Sequence, residues 1–129
     1  LRAQKRTSLE SFSAVLVSDI KNQQVNAMTG FTLGEETSSN YGIYFEIDRY
    51  TLFKGDAYNG ADTHNFVVKA PSNISFFDVK FPNSTLLLLK GSGEVSGFVI
   101  GADLVSLKTT TNTTKTITVN KYGTVVGAD

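Results

Sequence analysis

The chain has 129 residues, enough for one domain with a core of its own and no covalent staples. Twelve acidic and twelve basic side chains cancel, which excludes the strongly basic surface of a nucleic-acid binder. With no cysteine, disulfides, thiolate nucleophiles, zinc ribbons and iron–sulfur centres are excluded as well.

The chain opens on Leu1 and its single methionine is Met28, so an N-terminal piece is expected to precede it. Residues 1–11, which include Arg2, Lys5 and Arg6, read as a lead-in, either a short helix or a frayed segment. Residues 12–129 read as one β domain. Apolar runs of four to eight residues alternate with turn residues at roughly ten-residue spacing, the pattern of a sandwich or barrel with about eight or nine strands.

FSAVLV (12–17) is the first predicted strand and MTGFTL (28–33) a weaker second. YGIYFEIDRY (41–50) alternates cleanly, with Ile43, Phe45 and Ile47 on one face and Tyr44, Glu46 and Asp48 on the other. Arg49 and Thr51 then fall on the apolar face, a conflict that a bulge near 48–51 or at Gly55 would resolve. Asn59-Gly60 predicts a type I′ hairpin in which Phe53 faces Phe66 and Leu52 faces Val67.

In NISFFDVKF (73–81), Phe77, Val79 and Phe81 are expected inward and Phe76 outward. TLLLL (85–89) follows, apolar on both faces. EVSGFVIGADLVSL (94–107) reads as one long strand bent at Gly97 and Gly101. KTTTNTTKT (108–116) reads as a polar turn, TKTITVN (114–120) as a strand with Ile117 and Val119 inward, and GTVVGA as the last strand.

The chemistry-bearing residues are sparse. His64 is the only histidine, and Asp56 and Asp62 beside it lack the further ligands a metal site needs. DAYNGAD (56–62) does not match the spacing of a calcium loop. GSGEVSG (91–97) leads into neither Lys-Ser/Thr nor a helix, so no phosphate cradle is implied. Glu35-Glu36 sits in a polar loop. No catalytic residue, metal ligand or cofactor site is assigned, and the chain is not read as an enzyme. Asn73, Asn83 and Asn112 lie in Asn-x-Ser/Thr sequons and are possible glycosylation sites.

The doubly apolar strands carry the functional expectation. Leu87 and Leu89, opposite the core-facing Leu86 and Leu88, need a cover, since fully burying a leucine is worth about 1.5–3 kcal/mol. Either the chain's own segments supply it or a second molecule does. Ile47, Phe76, Leu87 and Leu89 are therefore the expected interface residues of a self-associating domain.

The opening LRAQKRTSLESF, the cysteine-free β body and the tract TTTNTTKT together resemble the soluble domain of archaeal archaellum accessory proteins, the F-type component and its G-type sibling. The resemblance implies an immunoglobulin-like antiparallel β-sandwich on the extracellular, pseudo-periplasmic side of the cell membrane, anchored by an N-terminal helix upstream of Leu1. It implies a static role in motility: a homodimer that binds a surface-layer or other envelope protein and holds the motor of the archaeal flagellum in place. A second likeness, carried by YFEIDRYTLFKGD and FVVKAP, resembles netrin-like, oligomer-binding-fold barrels. It implies a five-stranded barrel that binds a protein or glycan through residues 34–41 and 91–97.

Overall fold

The computed structural model describes residues 2–29 and 39–129. Among these residues are one α-helix, α1 (Arg2–Thr29), a short 3-10 turn (Pro82–Ser84) and eight strands: β1 (Tyr41–Glu46), β2 (Arg49–Lys54), β3 (Phe66–Lys69), β4 (Ile74–Val79), β5 (Thr85–Leu88), β6 (Leu104–Thr109), β7 (Thr114–Val119) and β8 (Val125–Ala128). The strands form two antiparallel four-stranded sheets, ordered β3-β2-β1-β5 and β4-β6-β7-β8. The expected antiparallel β-sandwich is therefore the fold. The pairs β1–β5 and β4–β6 join strands that are not consecutive in sequence. The closed five-stranded barrel of the second likeness is not what these strands build.

The strand expected at 12–17 is instead part of α1. Residues 2–29 contain neither glycine nor proline, and Gly30 follows at once, so nothing stops a helix before Thr29. Leu9, Phe12, Ser13, Leu16, Ile20, Gln23 and Ala27 are buried, at the three- and four-residue steps of a single helical stripe. The helix runs through the boundary drawn between residues 11 and 12 and packs against both sheets. Of the weaker strand at 28–33, Met28 and Thr29 end the helix; the remainder lies outside the described residues.

Polar side chains fix the helix in place. Gln23 Nε2 donates to the carbonyls of Gly42 (2.8 Å) and Phe53 (3.1 Å), tying α1 to β1 and β2 together. Tyr50 Oη donates to Asp19 Oδ2 at 2.6 Å, and Gln24 Nε2 donates to the Tyr122 carbonyl at 2.6 Å. At the helix end the Ala27 carbonyl accepts from the backbone of Gly91, satisfying a group the helix itself leaves open. The core between the layers is aromatic at one end: Phe12, Phe45, Tyr50, Phe76 and Phe81 meet with ring centroids 5.5–6.2 Å apart.

Three further expectations are corrected. Strand 41–50 is two strands, because Ile47 and Asp48 form a two-residue turn that pairs Glu46 with Arg49. The alternation restarts there, which removes the conflict at Arg49 and Thr51 without a bulge. Neither Asn59 nor Gly60 takes a positive φ, so no type I′ turn forms. Asn59 instead accepts from Ala61 through its side chain and from Asp62 and Asn65 through its carbonyl, organising a loop over residues 55–65. The β2–β3 register accordingly places Leu52 opposite Phe66 and Thr51 opposite Val67.

In β4 a register shift between Phe76 and Asp78 turns Phe77 out of the alternation. Phe76, expected outward, is buried at 3% exposure, while Phe77 is exposed with the Lys108 ammonium 5.3 Å from its ring centre. Counting back from Val79 across the bulge inverted both. The long strand expected at 94–107 is a single bridge, Val95 to Leu88, then a loop, then β6. Gly97 and Gly101 take φ of 63° and 92° and shape that loop rather than bending a strand. The threonine tract forms the polar β6–β7 turn as expected, and Ile117 and Val119 are buried.

Candidate interaction surfaces

Strand β5 separates its leucines as the alternation requires. Leu86 and Leu88 are fully buried in the core, and Leu87 and Leu89 sit on the other side, half-buried. The chain supplies part of their cover. Leu87 lies opposite Gly42 in the β1–β5 pair, and a Cβ on Gly42 would stand 2.3 Å from Phe53 Cζ, so the missing side chain makes room for that ring. Phe53 is 2% exposed although it lies on the outer face of its sheet. Tyr58, carried in by the loop 55–65, meets Phe53 edge-on at 6.1 Å and stacks on Tyr44 at 4.1 Å with planes 5° apart.

The segment after β5 closes the sheet edge. Ser96 N donates to the Leu87 carbonyl and Leu89 N to the Glu94 carbonyl. What remains beside Leu87 is an open groove of about 230 Å³, lined by Asp56, Tyr58, Pro82, Asn83 and Ser96 among others.

The four expected interface residues are thus not gathered on one surface. Phe76 belongs to the core, Leu87 and Leu89 share the half-covered outer face, and Ile47 stands 71% exposed at the β1–β2 turn. That turn is fixed by the backbone: Phe76 N donates to the Ile47 carbonyl and Ala70 N to that of Asp48. Arg49 clasps the Asp48 carboxylate through Nε (3.0 Å) and Nη2 (2.9 Å), and this hydrogen bond holds Asp48 below its ordinary carboxylate range.

The sequence reading missed the tip of the loop before β6. Val99 is 57% exposed and Ile100 86%, the most exposed large aliphatic among the described residues. Only the flanking glycines signalled it. Also missed was a groove of about 310 Å³ between α1 and β8, with Val17, Ile20 and Val125 as its apolar wall and Lys21 and Gln24 at its rim.

His64 lies in the exposed loop, its Nδ1 3.1 Å from Asp62 Oδ1. The same carboxylate oxygen accepts from the His64 backbone, and that bond, followed by the ring contact, holds the pKa of Asp62 below its ordinary value. Asp56 Oδ1 accepts from Asn40 Nδ2. These carboxylates are engaged in shaping the loop, and among the described residues no three His, Asp or Glu side chains gather to hold a metal ion. Glu35 and Glu36 lie outside the described residues.

The three sequon asparagines all stand at turns. Asn83 and Asn112 are exposed with φ of 56° and 64°, and Asn73 is half-buried with its carbonyl accepting from Thr110. Among the described residues, no helix is long and apolar enough to cross a membrane. No family model, curated protein or solved structure matches the chain.

Proposed function

We propose that this protein is a non-catalytic structural domain that self-associates and anchors to a partner through apolar side chains held at rigid turns. One observation carries the reading: Ile47, Val99 and Ile100 stand in water on turns pinned by backbone hydrogen bonds. An aliphatic group on a mobile loop can fold back onto the body, but a pinned one stays exposed until another molecule covers it. The half-covered Leu87 and Leu89 enlarge the available surface without being exposed enough to carry an interface alone.

The more specific role is an extracellular envelope anchor for the archaellum motor, a homodimer that binds a surface-layer protein. It rests on the likeness in the opening residues, the cysteine-free β body and the threonine tract. Its N-terminal membrane helix would lie upstream of Leu1.

Sedimentation velocity over a concentration series tests the reading. Wild-type mass should rise with concentration, and Ile47→Lys should either lower that rise or abolish capture of isolated surface-layer protein. A wild type that stays monomeric throughout and captures no envelope protein removes the proposal.

A further inference from the structure

The tip at residues 97–102 reads Gly-Phe-Val-Ile-Gly-Ala and contains no polar side chain. Its shape is fixed. Gly97 and Gly101 hold left-handed φ at either end, and Ala102 N donates to the Val99 carbonyl at 3.0 Å to close the turn. Its base is fixed too, by Ser96 N on the Leu87 carbonyl and Val119 N on the Asp103 carbonyl. Val99 and Ile100 are both β-branched, so their burial freezes few rotamers. The result is a rigid apolar knob.

The groove between α1 and β8 is its counterpart in size and chemistry. At about 310 Å³ it sits at the small end of binding pockets, with room for a pair of aliphatic side chains and not for a helix. Its wall is Val17, Ile20 and Val125, and its one charge is Lys21. The charges nearest the knob in sequence are acidic on both sides, Glu94 and Asp103. They match Lys21 on the groove and oppose docking of the knob on an anionic lipid surface.

We infer that self-association runs head to tail, the Val99–Ile100 tip of one copy seated in the α1/β8 groove of the next. This rests on the self-association reading above and gives it a direction. Knob and groove are different surfaces, so the contact is heterologous and builds a ring or an open chain, in place of the two-fold homodimer that the archaellum likeness implies.

Complementation of two variants tests it. Ile100→Asp spoils the knob and leaves the groove; Thr124→Trp fills the groove from its exposed rim and leaves the knob. Each alone should associate at least tenfold more weakly than wild type, while an equimolar mixture should form a dimer and stop at two. Thermal melts confirm folding, with Ile100→Ser and Lys21→Glu as gentler replacements should either variant fail to fold.

Association of both single variants at wild-type strength overturns the inference and leaves self-association standing. A mixture that stays monomeric while wild type assembles also overturns it, in favour of a two-fold contact. A monomeric wild type removes this inference together with the self-association on which it rests. Co-sedimentation with anionic phospholipid vesicles that is lost in Ile100→Asp, with no assembly in solution, reassigns the knob to lipid.

Discussion

The outer faces of the two sheets are built in opposite ways. On the β3-β2-β1-β5 sheet, Phe53 and Thr51 are as inaccessible as core residues: the loop 55–65 returns Tyr58 onto Phe53 and onto Tyr44, the cross-strand neighbour of Thr51, and Gly42 vacates the space the Phe53 ring needs. On the β4-β6-β7-β8 sheet the outward positions are mostly hydroxyl-bearing or charged, Ser75, Asp78, Ser106, Lys108, Thr114, Thr116 and Thr118, with the exposed Phe77 ring beside Lys108. One sheet has a second, small apolar layer made by its own connection, while the other presents mainly hydroxyls and charged groups, with Ser106 and Thr116 bonded to each other. A strand that is apolar on both faces therefore does not by itself demand a partner. A long loop in the same sheet is an equally good cover, and it forms without the entropy loss of association.

Removing the aromatic ring of the extra layer is the strongest test. Phe53→Ala should cost about 3–5 kcal/mol in urea denaturation, the range expected for a core phenylalanine and for Phe45→Ala here. A loss under about 1 kcal/mol would mean that the layer is not packed in solution. Gly42→Ala comes next, because its Cβ would overlap the Phe53 ring and stand 3.0 Å from the Leu86 carbonyl. Displacing the ring should cost about 1–3 kcal/mol, and the double variant Gly42→Ala/Phe53→Ala should cost less than the sum of the singles.

Much of this was legible in the residues and some was not, for physical reasons. Strands β1 and β7 alternate large apolar residues with polar or small ones, so Ile43, Phe45, Ile117 and Val119 could be placed inward directly. The threonine turn needed only composition. Helix α1 was hidden because its buried stripe includes Ser13 and Gln23 while Val15 and Val25 lie exposed, which flattens the helical period and leaves FSAVLV looking like a strand. Gln23 is polar because it serves two strand carbonyls, a requirement that no local pattern expresses.

Phe76 was inverted by the bulge at Phe77, which shifts the count by one. The question posed by Leu87 and Leu89 was legible; its answer depended on where Tyr58 lands. Of the candidate surfaces, Ile47 is marked in the sequence by its irregular neighbours, whereas the Val99–Ile100 tip reads as strand because glycines bound both turns and bulges.

The inner layer offers a control that leaves both outer faces alone. Tyr50 is fully buried and donates to Asp19. Burial first, then that hydrogen bond and the Asp19 charge, push its phenol well above the 10.0 of an unperturbed tyrosine. The folded protein thus keeps a proton that the unfolded chain loses, so stability is level below about pH 10 and falls as pH rises above it. Tyr50→Phe should cost roughly 1.5 kcal/mol at neutral pH and flatten that alkaline fall in thermal melts. An unchanged alkaline slope would detach Tyr50 from the effect.

The finest test applies one substitution to both outer faces. Thr51 is 1% exposed and its Oγ1 has no partner, so the dry layer on its sheet holds an unsatisfied hydroxyl. Valine keeps the shape and β-branching and removes the polar atom, so Thr51→Val should raise stability by about 1 kcal/mol. Thr116 differs: its Oγ1 lies 2.8 Å from the Ser106 hydroxyl, and Ser106 is only 4% exposed. Thr116→Val strands that serine and should lower stability by about 1 kcal/mol. Denaturation midpoints that move in opposite directions identify one face as dry and the other as hydrogen-bonded. Midpoints that move together would mean water reaches Thr51, and the loop 55–65 would then be no true cover.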